Sequence, residues 1–302
     1  MTSPVSSHVR LHAEEAPAPD DAGGVQPFPI PSQNHRPVGC APESDKIRRR
    51  ELADFLRKRR ESTDPAELGL HRGARRRTPG LRREEIAVLA GMSPTWYTYL
   101  EQARSVSPSA KNLDGIADVL RLSDGERVYL SRLAQRDPMH RPATEQDSAR
   151  LWELTKALNP LPALATSRFG DVLGWNDAAV DQYGDFGRMP DAERNLLWWM
   201  FTADAARERI VDWEAEARAQ VARLRWAAAG WYGHPRLDAL VGALAAASDS
   251  FRAWWDKHAV YAPGDRIVTI RHARSGEQMT TRVLDAWQDD LGDARLVLHV
   301  PG

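Results

Sequence analysis

The sequence predicts an α+β chain in which an all-α domain precedes an α+β domain closed by an antiparallel sheet. Three observations carry that expectation. From Leu81 to about Gln135, short apolar-periodic segments are punctuated by helix-capping residues. Beyond a Pro-containing polar stretch, Arg136 to Thr144, strand-like material and then several helical periods follow. From Arg266 onward the segments become rich in Val, Ile, Thr and Leu, as strands are. A length of 302 residues is enough for two modest cores.

Residues 1–43 hold eight of the twenty prolines and no periodic apolar pattern, which predicts a disordered tail. The first domain is expected over 44–137. Ser44 opens an amphipathic helix with Ile47, Leu52, Phe55 and Leu56 on one face and Arg48, Arg49, Arg50, Arg57, Lys58, Arg59 and Arg60 on the other. Glu61 to Gly80 reads as a long irregular connection. Four short helices follow, over Leu81 to Ala90, Pro94 to Gln102, Pro108 to Leu120 and Asp124 to Gln135. Ser93-Pro94 and Ser107-Pro108 introduce the second and third, the serine capping free amides and the proline filling a position that needs no amide. Ser123 caps the fourth.

The second domain is expected over 144–302. It starts with a helix through Trp152 and Leu158, and Leu161 to Trp175 reads as strand material ending in a Gly-Trp-Asn turn. Helices are placed near Asp191 to Phe201, Asp204 to Ala228, Pro235 to Ala246 and Asp249 to His258. Arg266 to His272, Met279 to Ala286 and Arg295 to Val300 form an antiparallel meander, with a turn at Ser275-Gly276.

The net charge of −1 conceals an asymmetry. Lys46 through Arg83 contains fourteen Lys or Arg against five Asp or Glu, a surplus of nine, so the rest of the chain stands at −10. The only cysteine is Cys40, which excludes an internal disulfide or a clustered thiolate metal site and fits a cytoplasmic setting. No apolar run reaches the roughly 18 residues of a membrane span. His234, His258, His272 and His299 lack the spacing of a zinc site, so no metal and no cofactor are expected. No phosphate loop, nucleophile elbow or Cys–His pair is present, which argues against an enzyme.

The segment Leu81 to Gln102 (LRREEIAVLAGMSPTWYTYLEQ) resembles the helix-turn-helix of Cro and phage-repressor-like regulators. Its logic is physical. Small Ala87 lets two helices cross closely, Gly91 can take a positive φ in the turn, and Ile86, Ala90, Met92, Tyr97 and Leu100 face inward. That leaves Ser93, Thr95, Trp96, Thr98, Tyr99 and Gln102 on the outer face of the second helix as candidate readers of base edges in the major groove. Arg75, Arg76, Arg77, Arg82, Arg83 and Arg104 flank the motif and are assigned to the phosphates of double-stranded DNA.

The likeness extends further. Arg76 to Glu85, Leu100-Glu101-Gln102, Asp171 to Asn176, Glu193 to Leu197 and Phe251 to Trp255 resemble the regulators related to MmyB. The resemblance implies a helix-turn-helix domain joined to a PAS-like ligand-binding domain, hence a transcription factor controlled by an apolar, fatty-acid-like small molecule; a homodimer on a pseudo-palindromic operator is expected. Ala103 departs from it, standing where such regulators carry glycine, and leaves the helix end and the direction of Arg104 open. Ten of eleven tryptophans lie from Trp152 to Trp287, more than packing alone usually uses, which suggests an aromatic-walled pocket. Asn176, Arg194, Asn195, Trp198, Trp254 and His258 are its candidate ligand contacts. The alternative is a DNA-anchored adaptor whose tryptophan-rich domain docks a partner protein, which exposed tryptophan on a flat face would favour.

Overall fold

The computed structural model describes residues 42–70, 80–134, 144–273, 275–287 and 293–302. The expected tail, apart from its last two residues, lies outside these residues. So do Arg75, Arg76 and Arg77.

The first domain is a helical cluster wrapped around α1, Pro42–Ser62. Two residues of the expected tail, Pro42 and Glu43, are already helical. Leu52, Phe55 and Leu56 are buried, as their spacing requires. Arg60 is buried as well, although the sequence placed it on the solvated basic face. A 3-10 turn over Pro65–Leu68 interrupts the connection read as irregular. Helices α2 (Arg83–Leu89), α3 (Pro94–Glu101), α4 (Ala110–Val119) and α5 (Asp124–Ala134) follow. Ser93 accepts from the Trp96 amide, with Pro94 as the first helical residue, as expected. At α4 the cap is Ser109 rather than Ser107, because Ser109 and Asn112 satisfy each other's backbone amides in a capping box that Pro108 cannot join. Ser123 accepts from the Glu126 amide at α5. Gly91 takes a φ of +69° in the turn between α2 and α3.

The second domain begins with α6, Glu145–Ala157. The stretch read as strand material is a hairpin. β1 (Ala163–Thr166) and β2 (Val172–Trp175) pair antiparallel across a turn in which Ser167 Oγ accepts from the Phe169 and Asp171 amides. β3 (Arg266–Arg271), β4 (Gln278–Trp287) and β5 (Arg295–Pro301) form the expected meander, and β5 pairs with β1. The strand order β2-β1-β5-β4-β3 makes one antiparallel sheet. α6 lies against β1 and β2, close enough that a Cβ on Gly174 would meet Trp152 Cε3 at 2.8 Å.

Between the hairpin and the meander run α7 (Asp177–Tyr183), α8 (Leu196–Thr202), α9 (Asp204–Arg209), α10 (Trp213–Ala228), α11 (Pro235–Ala247) and α12 (Asp249–Trp255). The sequence missed α7, and it read α9 and α10 as one helix. They are separated because Ile210 and Val211 leave the helix to bond β3, through an Ile210–Ile270 bridge and a Val211 amide donating to Thr269 O. Several tryptophans of this domain pack on other aromatic rings. Trp152 meets Trp175, and Trp213 meets both Phe201 and Trp254, at centroid distances of 5.8–6.0 Å.

Candidate DNA-reading surface and ligand cavity

α3 is held from beneath by a buried charge cluster. Glu101, its last residue, is 1% exposed, and it accepts from Arg60 Nε and Nη2 and from Arg83 Nε at 2.7 Å. Burial alone would raise its carboxyl pKa, but the two guanidinium hydrogen bonds outweigh burial and hold it below its usual value. Arg60 also donates to Leu81 O, and Arg57 donates to Glu101 O. Tyr97 and Leu100 complete the buried side. The cluster fixes which face of α3 turns outward.

The sequence selected six residues on that face, and the structure divides them. Thr95 and Gln102 are exposed, and Tyr99 is half-exposed. Ser93 spends its hydroxyl oxygen on the helix cap, Thr98 donates to Pro94 O at 2.8 Å, and Trp96 is half-buried against the core. Arg82 is exposed, whereas Arg83, expected at phosphates, is committed to Glu101 through Nε. Ala103 settles the question its side chain raised: it takes the left-handed φ of +55° itself, so α3 ends at Glu101 and the Arg104 guanidinium lies 4.4 Å from the centre of the Tyr99 ring.

In the second domain a cavity lies between the sheet and helices α7, α8 and α10. Leu196, Trp199, Met200, Ile210, Val268, Ile270 and Val283 give it an apolar wall, and its volume is about 20 Å³. Its polar end is made by Gln182, Tyr183, Arg209, Glu216, Gln220, Arg266 and His299. Arg266 donates to Glu216 at 2.9 Å and to Asp285 at 2.8 Å, and Gln220 donates to Glu216. His299 bonds the Tyr183 and Thr281 hydroxyls. Burial, aided by the Arg266 charge, lowers its pKa to about 3, so the ring is neutral. A second cavity of about 190 Å³ shares Gln182 and Ile270 with the first and is bordered by Pro160, Arg271 and His272.

None of the six residues selected as ligand contacts lines either cavity. Asn176 caps α7 and donates to Thr155 O and Leu161 O. Asn195 caps α8 at two amides and donates to Phe169 O and Asp171. Arg194 donates to Phe186 O and pairs with Asp191. Trp254 packs on Phe201 and Trp213, while Trp198 is half-buried one position from Trp199, which does face the cavity. His258 bonds Glu51 of the first domain. Sequence reasoning missed Gln182, Tyr183, Glu216, Gln220, Arg266 and His299. The i, i+4 spacing of Glu216 and Gln220 does place them on one face of a helix, where Gln220 donates to Glu216.

Among the described residues no group of His, Cys, Asp and Glu is placed to hold a metal ion, and no helix is long and apolar enough to cross a membrane. The MmyB-like transcription regulator ligand binding domain family matches residues 148–302, and a helix-turn-helix domain family matches residues 51–130. No curated protein matches the chain.

Proposed function

The chain belongs to the MmyB-like transcription regulators, and it is a DNA-binding regulator with a carboxyl-terminal ligand-binding domain; from that premise we propose that α3 reads operator bases and that an apolar small molecule in the cavity between the sheet and helices α7, α8 and α10 controls it. The observation that carries the DNA half is the outward face of α3, where Thr95, Tyr99 and Gln102 stand between Arg82 and Arg104. Polar side chains along such a helix suit base edges, and arginines beside it suit phosphates. Arg75, Arg76 and Arg77 extend the phosphate set in this reading. The chain acts as a cytoplasmic homodimer, two heads meeting a pseudo-palindromic operator about one helical turn apart.

For the ligand half, the aliphatic and aromatic wall favours an apolar body, as in a fatty-acid-like molecule, with Gln182 and Arg209 at its polar end. The cavity as it stands holds about one water, so the ligand acts by favouring a second, more open arrangement. Catalysis plays no part in this reading. The adaptor alternative has no comparable support, because every tryptophan whose side chain is described is buried or half-buried. The experiment is selection of DNA from a random pool by the full chain, with native mass spectrometry of the same preparation. A recovered inverted repeat and a retained apolar molecule are expected; a pool that stays random contradicts the DNA half.

A further inference from the structure

The two domains meet at a polar joint that the DNA-reading and ligand-binding sites do not use. Arg225 of α10 is 1% exposed and donates to Glu51 of α1 and to Trp255 O, with its guanidinium 3.9 Å from the Trp255 ring centre. Glu51 also accepts from Tyr129 of α5 at 3.0 Å and lies 3.1 Å from His258 Nδ1. Tyr129 in turn bonds the Tyr232 hydroxyl at 2.9 Å. Beside them, the Arg132 guanidinium sits 4.1 Å from the centre of the Trp226 ring. His258 holds a left-handed φ of +53°, a conformation that a non-glycine residue keeps only where its surroundings impose it.

What each end of this joint touches makes it more than a seam. On another face of α10, Glu216 and Gln220 line the ligand cavity. At the far end of α1, nine residues beyond Glu51, Arg60 holds Glu101 at the base of α3. Since the cavity is about 20 Å³, roughly the room of one water, a ligand that fills it must displace a wall, and α10 is the wall that reaches the other domain. We propose that Glu51, Arg225 and His258, with Tyr129 and Tyr232, form the joint through which filling of the cavity repositions the DNA-reading helix. The carboxylate is kept charged for this: burial opposes ionisation, but the His258 hydrogen bond and Arg225 charge bring its pKa down to about 2. The proposal rests on the cavity and DNA roles given above.

The test uses the full chain and a DNA fragment it selects from a random pool. Val268→Leu adds a methylene to the cavity wall and so mimics partial filling. With the joint intact, it is expected to change DNA affinity about fivefold or more and to alter hydrogen exchange at the α3 amides. In a Glu51→Gln background the same substitution should move affinity by less than about twofold and leave α3 exchange unchanged. Tyr129→Phe, which removes one hydroxyl from the joint, supplies a milder second background should Glu51→Gln fail to fold. An equal response with the joint intact and cut overturns the proposal, as does no response in either. Failure of the wild-type chain to select any DNA would sink the underlying DNA reading instead, and the exchange arm would still decide the joint.

Discussion

The outer face of α3 and the cavity of the second domain both gather polar side chains, but they hold them in opposite states. On α3, Thr95 and Gln102 face solvent, with Tyr99 half-exposed beside them. In the cavity, Arg266 is spent on Glu216 and Asp285, and His299 on Tyr183 and Thr281. The contrast follows from burial. A surface can leave donors waiting because water satisfies them, whereas an interior must pair its polar groups with one another or lose stability. On the proposed roles, the DNA-reading face displays its chemistry, while the ligand cavity conceals it in internal bonds and answers mainly to shape.

That contrast can be broken at its largest expected effect beneath α3. Glu101→Ala leaves Arg60 buried without its carboxylate and should cost about 3–5 kcal/mol in denaturant unfolding; a loss under about 1 kcal/mol would mean that the cluster does not seat the helix. Acid should reach the interior next. Glu51, at about 2, contributes stability above its unfolded value of 4.5 and loses it as pH falls from there toward 2. His299, at about 3 against 6.5 unfolded, stays neutral in the fold while the unfolded chain takes up a proton, so stability falls as pH drops below 6.5. Each group adds a slope of roughly 1.4 kcal/mol per pH unit within its own window. His299→Gln should flatten the stability profile between pH 6.5 and 4.5, and an unchanged slope there would contradict the assignment.

A smaller effect separates structure from recognition inside the second domain. Asn195→Ala removes the α8 cap and the bond to Asp171, and should cost about 2 kcal/mol in thermal unfolding. Its effect on a retained ligand should be no larger than that loss of fold explains. The smallest change goes the other way. Ala103→Gly relieves a left-handed alanine at the end of α3 and should stabilise the chain by about 1 kcal/mol, measured as a rise in Tm.

How far the two regions were legible follows the same division. The α3 motif is local: its cap at Ser93, its turn at Gly91 and its inward Tyr97 and Leu100 fall within about ten residues, so spacing alone orients it. The cavity draws on residues from Gln182 to His299 on several elements, and only sheet register and helix phase bring them together. Trp198 and Trp199 illustrate the difficulty, since adjacent residues on a helix point about 100° apart and the Asn195 cap decides which faces in. Asn176 and Asn195 show a related ambiguity: the amide that could orient a ligand is also the amide that caps a helix. The stretch holding β1 and β2 reads only as strand material, although Ser167, Gly170 and Asp171 in its five-residue turn mark where the hairpin reverses.

The most direct measurement compares Thr95→Ala, Tyr99→Phe and Arg82→Ala on the selected fragment and on the same fragment with its central bases changed. The first two should shrink the affinity ratio between fragments, each by about 1–3 kcal/mol of discrimination, while Arg82→Ala lowers both affinities alike and reduces the salt slope by about one. Three variants that weaken both fragments equally would show that α3 does not read sequence.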